Sequence, residues 1–196
     1  MWSQMGTSLR INLVLLLVLG LAYPLILTGI CQLAFPNAAN GSPVTAGGRV
    51  VGSRLIGQNF HGAQYLHPRP SAAGDGGYDA MRSGGSNLGP TNTRLFELVK
   101  ARVAEFREEN PDYTGPIPAD IVTSSASGLD PDISPAAALA QAPRIAKARG
   151  VPRASVEAVI SRFIEQPMIG FLGEPRVNVL LTNLALDEAF PAHSDR

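Results

Sequence analysis

Residues 11–33, INLVLLLVLGLAYPLILTGICQL, decide the architecture. No charged side chain occurs between positions 11 and 48. An apolar run of about 20 residues is what a helix needs to cross roughly 30 Å of hydrocarbon. In lipid every backbone N–H and C=O needs an internal partner, which a single segment achieves only as a helix. Pro24 lies inside the run and cannot donate to the Gly20 carbonyl, so it predicts a kink. Tyr23 and Pro24, with Gly20 and Gly29 permitting close approach, predict a face that meets other helices. Cys31 is the only cysteine. It cannot form an internal disulfide, and it reads as a small buried apolar residue.

On the N-terminal side, Arg10 followed by Leu13–Ala22 has the layout of a secretory leader. The apolar run continues well past Ala22, and Asn37-Ala38-Ala39 is a poor cleavage site. Ile30, rather than a small residue, precedes Cys31, which argues against a lipoprotein. An uncleaved anchor is therefore expected. Arg10 and the amino terminus are positive, and no positive group lies close after the span. The positive-inside rule then puts the N-terminus in the cytoplasm. The expected organisation is a short cytoplasmic segment (1–10), a transmembrane helix (11–33) and one soluble extracytoplasmic domain (34–196).

Beyond the anchor, enough chain remains for one domain with a core of its own. Lys and Arg number 16 and Asp and Glu number 16. This balance lacks the excess of positive charge a nucleic-acid binder uses to neutralise phosphates. Twelve of the 20 glycines, with four of the 16 prolines, fall between Gly41 and Pro90, which predicts a loop-rich half. Residues 50–56 read as a strand after a Gly47-Gly48 turn, and 57–89 as irregular, a length usual for functional or docking loops. Leu95, Val99, Val103 and Phe106 form one apolar stripe, predicting a helix over 91–109 capped by Thr91 or Thr93. Residues 119–124 read as a short strand. Ser134-Pro135 opens a helix that Gly150 stops and Pro143 bends. A further helix is expected from Ser155, and a strand over 177–181. The fold class is α+β.

No phosphate loop, HExxH motif or GxSxG elbow is present. His61, His67 and His193 lack paired metal-ligand spacing. Ser83-Gly84-Gly85-Ser86-Asn87 either cradles an anion on its backbone N–H groups or is a tight turn that positions the next helix. Asp130 and Asp132 could do acid–base work or bind a cation. Alternatively, Asp130 stiffens the turn and Asp132 supplies charge near a helix start. Arg69, held between two prolines, points to a fixed carboxylate partner in an internal or interface salt bridge. Gln141 and Arg144, one turn apart, could bond a ligand or a partner loop.

Six stretches in order carry a resemblance: YPLILTGICQLAFPNAANGS, GSRLIGQNFHGAQYLHPRPSA, SGGSNLGPTN, VTSSASGLDPDIS, QAPRIAKARG and GEPRVNVLLTNLALD. Together they resemble the C-subunit family (KdpC) of the bacterial Kdp potassium-transporting ATPase over almost the whole chain. Asp132 departs from the pattern, since the family often carries His or Asn there. The resemblance implies an accessory subunit, without its own catalytic centre, of a complex that imports K⁺ into the cell across the inner membrane. Its partners would be a P-type ATPase subunit, a channel-like K⁺ subunit and membrane lipid. The sequence itself lacks a DKTGT phosphorylation motif and a TVGYG filter. The resemblance further implies a role in assembly and as a catalytic chaperone that raises the pump subunit's ATP affinity. On that account Gln141, Ser83, Gly84, Gly85 and Asn87 contact nucleotide, while Tyr23, Pro24, Arg69 and Asp130 dock partners. No tightly bound cofactor is expected, with ATP reached through the complex. An extracytoplasmic domain conflicts with direct contact to cytoplasmic ATP, so bracing of the ion entrance is the expectation that topology favours. Two alternatives remain at this stage: a membrane-anchored periplasmic hydrolase and a ligand-binding module.

Overall fold

The computed structural model describes residues 2–191, so His193 lies outside the described residues. The chain divides at Pro43 into an apolar helical unit and a second unit that holds the remaining elements.

In the first unit, α1 (Trp2–Leu17) passes through a π-helical segment (Val18–Ala22) into α2 (Tyr23–Ala34). The helical rod Gln4–Ala34 has 31 residues and contains an 18-residue stretch with a mean hydropathy of 2.5, apolar and long enough to cross a membrane. At 1.5 Å per residue it is about 46 Å long. Helix thus begins well before residue 11. Pro24 is accommodated one turn upstream, where the Tyr23 N–H reaches back five residues to the Val18 carbonyl. The widened turn is a π-bulge, a known way for a helix to absorb such a defect. Phe35 breaks the rod at φ −138°, and the short helix α3 (Pro36–Ala39) follows. Asn40 Nδ2 donates to Gln32 Oε1 at 3.2 Å and to the Pro36 carbonyl at 2.7 Å, tying the break down.

The second unit starts with a hairpin, β1 (Pro43–Ala46) and β2 (Arg49–Ser53). Gly47 and Gly48, at φ 57° and 76°, supply the two positive-φ positions of its turn. β2 is shorter than the strand expected over 50–56. Residues 57–92 hold turns and extended chain but no helix or strand. Helix α4 (Thr93–Glu109) is capped by Asn92, whose side chain accepts from the Arg94 N–H at 2.9 Å, rather than by either threonine.

Residues 119–124 are not a strand: α5 (Ala119–Val122) is a single helical turn entered from the extended Pro118. It buries Ile121 and Val122 and leaves Asp120 to accept from the Ser134 N–H at 2.6 Å and hydroxyl at 3.1 Å. β3 (Asp132–Ile133) leads into α6 (Pro135–Arg149), capped by Ser134 through the Ala137 N–H and stopped by Gly150 at φ 65°. Helix α7 (Arg153–Arg162) starts after Pro152, two residues before Ser155. β4 (Ile164–Glu165) and β5 (Arg176–Asn178) follow, and then α8 (Val179–Ala189). The strand expected over 177–181 therefore ends at Asn178. The Asn178 side chain accepts from the Leu181 N–H at 3.1 Å and opens a helix through the β-branched run.

The sheet order is β3-β5-β4, antiparallel throughout, with Val177 opposite both Ile133 and Ile164. The core lies between this small sheet and the helices. Leu66, Phe106, Ile133, Ile145, Val156, Ile160, Val177 and Leu186 are all buried in it. The buried alanines of α6 (Ala137, Ala138, Ala142, Ala146) bring other segments close to that helix's axis.

Candidate functional site

The irregular segment 57–92 has no ladder of its own, yet its buried backbone groups still need partners. Two side-chain amides supply them. Asn183 on α8 accepts from the Leu66 N–H at 2.7 Å and donates to the Leu66 carbonyl at 3.0 Å. Gln141 on α6 does the same for the next residue, accepting from the His67 N–H at 2.8 Å and donating to the His67 carbonyl at 3.1 Å. Both amides are about 1% exposed. Arg144, one turn on, donates to Gln141 Oε1 at 2.6 Å, the Ala63 carbonyl at 3.0 Å and Asn110 Oδ1 at 3.0 Å. Arg149 extends the pattern to the Gln64 carbonyl at 2.8 Å and Asp187 at 2.8 Å, with its guanidinium 5.4 Å from the Tyr65 ring centroid. One face of α6 thus binds Ala63, Gln64, Tyr65 and His67, and α8 binds Leu66 between them.

Arg144 and His67 carry altered acid–base properties. Burial pushes the Arg144 guanidinium down to about 10. Burial lowers the His67 pKa, the Arg144 charge lowers it further, and Glu109, whose Oε2 lies 3.1 Å from His67 Nδ1, opposes them.

A second cluster holds the Asp130 turn against the same segment. Arg69 Nη1 donates to Asp130 Oδ2 at 2.8 Å, while Asp130 Oδ1 accepts from the Asp132 N–H at 3.1 Å, which stiffens the turn. Ser71 Oγ donates to the Gly128 carbonyl at 2.6 Å and accepts from the Tyr78 N–H at 2.8 Å. Tyr78 donates its hydroxyl to the Arg69 carbonyl at 2.6 Å. Burial, and secondarily Asp130, raises its pKa. Gly57 is a close-approach position: a Cβ there would lie 2.4 Å from the Asp130 carbonyl oxygen. Asp132 pairs with Arg176 at 3.2 Å and accepts from Asn178 Nδ2 at 3.0 Å. Burial raises its pKa, with Asn178 and Arg176 opposing.

Between these clusters opens a cleft of about 380 Å³, lined by His61, His67, Arg69, Tyr78, Arg102 and Glu109 among others. Arg69 Nε is buried beside it without a hydrogen-bond partner among the described residues. No three His, Cys, Asp or Glu side chains gather into a metal-ligand set among the described residues.

The structure brings Arg69 and Asp130 together, and it gives Gln141 and the Ser83–Asn87 loop, which the resemblance would place on nucleotide, different hydrogen-bond partners. The hydrogen bonds of Gln141 go to His67, Arg144 and Ala137. The Ser83–Asn87 loop instead faces the Ser127 turn: the Gly84 N–H and the Ser83 hydroxyl both donate to the Ser127 carbonyl, at 2.8 and 2.9 Å. Ser83, Ser86 and Asn87 are exposed. Tyr23 and Pro24 lie on the apolar rod, bare of intrachain packing. Sequence reasoning missed Asn183, Asn110 and Arg149. Local spacing gave no signal for them, because their partners lie 34 to 117 residues away.

An apolar helix long enough to cross a membrane, followed by an α+β unit whose buried polar groups bind its own loop, is the class of protein this fold defines. Comparison with known proteins gives the family. The family model described as K⁺-transporting ATPase, c chain (KdpC), matches residues 5–188. The potassium-transporting ATPase KdpC subunit of Nitratidesulfovibrio vulgaris is 55% identical over 187 residues, covering 95% of each chain. Those of Myxococcus xanthus and Caulobacter vibrioides are 56% and 58% identical, covering 97% and 89% of this chain and 90% and 87% of theirs. The chain belongs to the KdpC family of K⁺-transporting ATPase subunits.

Proposed function

We propose that this chain is the single-pass accessory subunit of an ATP-driven K⁺ import complex in the inner membrane, with its domain on the outer side. On this reading it is non-catalytic, is needed for assembly with the P-type ATPase and channel-like subunits, and braces the ion entrance. The observation that carries the reading is the spending of candidate polar groups on internal structure. Gln141, which the resemblance would place on nucleotide, is 1% exposed and bonded at both ends of its amide. The family's chaperone effect on ATP affinity would then act through the membrane partners rather than by contact. Tyr23, Pro24, Arg69 and Asp130 are the docking residues of this reading, with Arg69 and Asp130 a fixed pair about a quarter exposed.

The test is co-purification with the multi-span partners and K⁺-stimulated ATPase activity of the complex with and without this chain. Full activity in its absence would remove the reading. Arg69→Ala is expected to lower complex yield, and a C-terminal reporter active only outside the cytoplasm is expected to be active. An alternative hydrolase reading predicts turnover by this chain without its partners.

A further inference from the structure

The middle of the apolar rod carries a polar defect that its own chain leaves open. The Leu19 carbonyl would accept from Tyr23 in an α-helix or from Pro24 in a π-helix. The Tyr23 N–H goes to Val18 instead, and proline has no N–H. Gly20 loses its α-helical donor to the same proline, which leaves it the Leu25 N–H five residues on, and that group is also the α-helical donor of Leu21. Asn12 on the rod donates to the Ser8 carbonyl, and Gln32 and Asn40 bond one another, away from this point. Leu19 stands at the middle of Gln4–Ala34. At that depth an unpaired carbonyl in hydrocarbon is strongly unfavourable.

Access to the defect is open. A Cβ on Gly20 would meet only Leu16 Cδ1, at 3.5 Å, so another helix can approach closely. No side chain from Leu13 to Ala22 carries a donor. A parallel second copy would therefore have to reach with Tyr23.

We propose that the Leu19 carbonyl, with that of Gly20, accepts a hydrogen bond from a hydroxyl, amide or indole N–H side chain on a transmembrane helix of a partner subunit seated over Gly20. This rests on the reading of the chain as a membrane-spanning subunit of a complex. The π-bulge is then a recognition feature: the proline withholds a donor from its own helix so that a partner can supply one.

The test uses the full chain expressed with its partner subunits. Pro24→Ala restores the missing N–H and closes the acceptor, while Pro24→Gly restores it and keeps the helix easy to bend. Both are expected to insert in the membrane at wild-type level. Both should weaken retention on the partners roughly three- to tenfold, the range for one interhelical hydrogen bond. Gly20→Leu, which blocks approach, is expected to lower retention as well. Wild-type retention of Pro24→Ala alongside loss by Gly20→Leu overturns the carbonyl site while leaving the subunit reading intact. Wild-type retention of Pro24→Gly alone shows that the bend matters, and also overturns it. A self-pair lost in Tyr23→Phe assigns the site to a second copy, against the proposal. Failure of the wild-type chain to co-purify with any membrane partner sinks the underlying reading instead.

Discussion

Asn183→Ala should release the irregular segment from α8. The substitution removes one acceptor and one donor at once, so the Leu66 N–H and C=O, bonded at 2.7 and 3.0 Å, both lose their partner. Leu66 is fully buried, so water does not readily replace either bond. Each abandoned buried group costs about 1–3 kcal/mol, and partial relaxation around the smaller side chain brings the expected total to about 2–4 kcal/mol. That is roughly a 30- to 700-fold increase in the opening equilibrium of the segment. Hydrogen–deuterium exchange of the detergent-solubilised full chain reads this directly, in peptides containing Leu66 and His67. Exchange there should accelerate by that factor, while peptides from the apolar rod stay unchanged. Acceleration of less than threefold would mean that the amide clamp does not hold the segment.

Three further outcomes follow from the same geometry. Gln141→Ala should lower domain stability by about 2–3 kcal/mol in urea unfolding; in the assembled complex the ATP dependence per intact subunit should stay unchanged, and a shift in that dependence would point to direct nucleotide contact. Burial and Arg144 lower the His67 pKa, so below about pH 6.5 the unfolded state takes up a proton that the folded state resists. The His67 contribution to stability is therefore complete above that pH and declines as pH falls through the range below it, and His67→Gln should flatten the slope between pH 5 and 6.5. Gly57→Ala drives a methyl group to 2.4 Å from the Asp130 carbonyl oxygen; it should cost about 3 kcal/mol, seen as a lower unfolding midpoint, and a wild-type midpoint would show that the Asp130 turn can move.

The elements legible in the sequence were those whose signals are local. The charge-free run, the Gly47-Gly48 turn, the Ser134-Pro135 start and the Gly150 stop each announce themselves within a few residues. The Val177–Leu181 run misled because β-branched residues favour strands, whereas the Asn178 cap turns the chain into α8. Residues 119–124 misled similarly, since one helical turn fixed by burial of Ile121 and Val122 has no periodicity to read. β3 and β4, two residues each, exist only because β5 lies between them. Arg69 was legible as a residue held for a carboxylate, and its partner proved to be Asp130. The amide clamps were not legible, because a lone Asn or Gln inside a helix gives no sign of which distant backbone it will bond.

The clamps also set an order of events during synthesis. Leu66 is bonded by a residue made 117 positions later, and Arg149 waits for carbonyls at Leu186 and Phe190. The segment after the anchor must therefore leave the ribosome without a partner and stay unfinished until nearly the whole polypeptide has emerged. Such long-range closure is slow and leaves nascent chains exposed to proteases and misassembly. Loss of the last two turns of α8, from a frameshift or premature stop, would remove Asn183 and leave the apolar rod attached to a body whose loop has lost its closing amide.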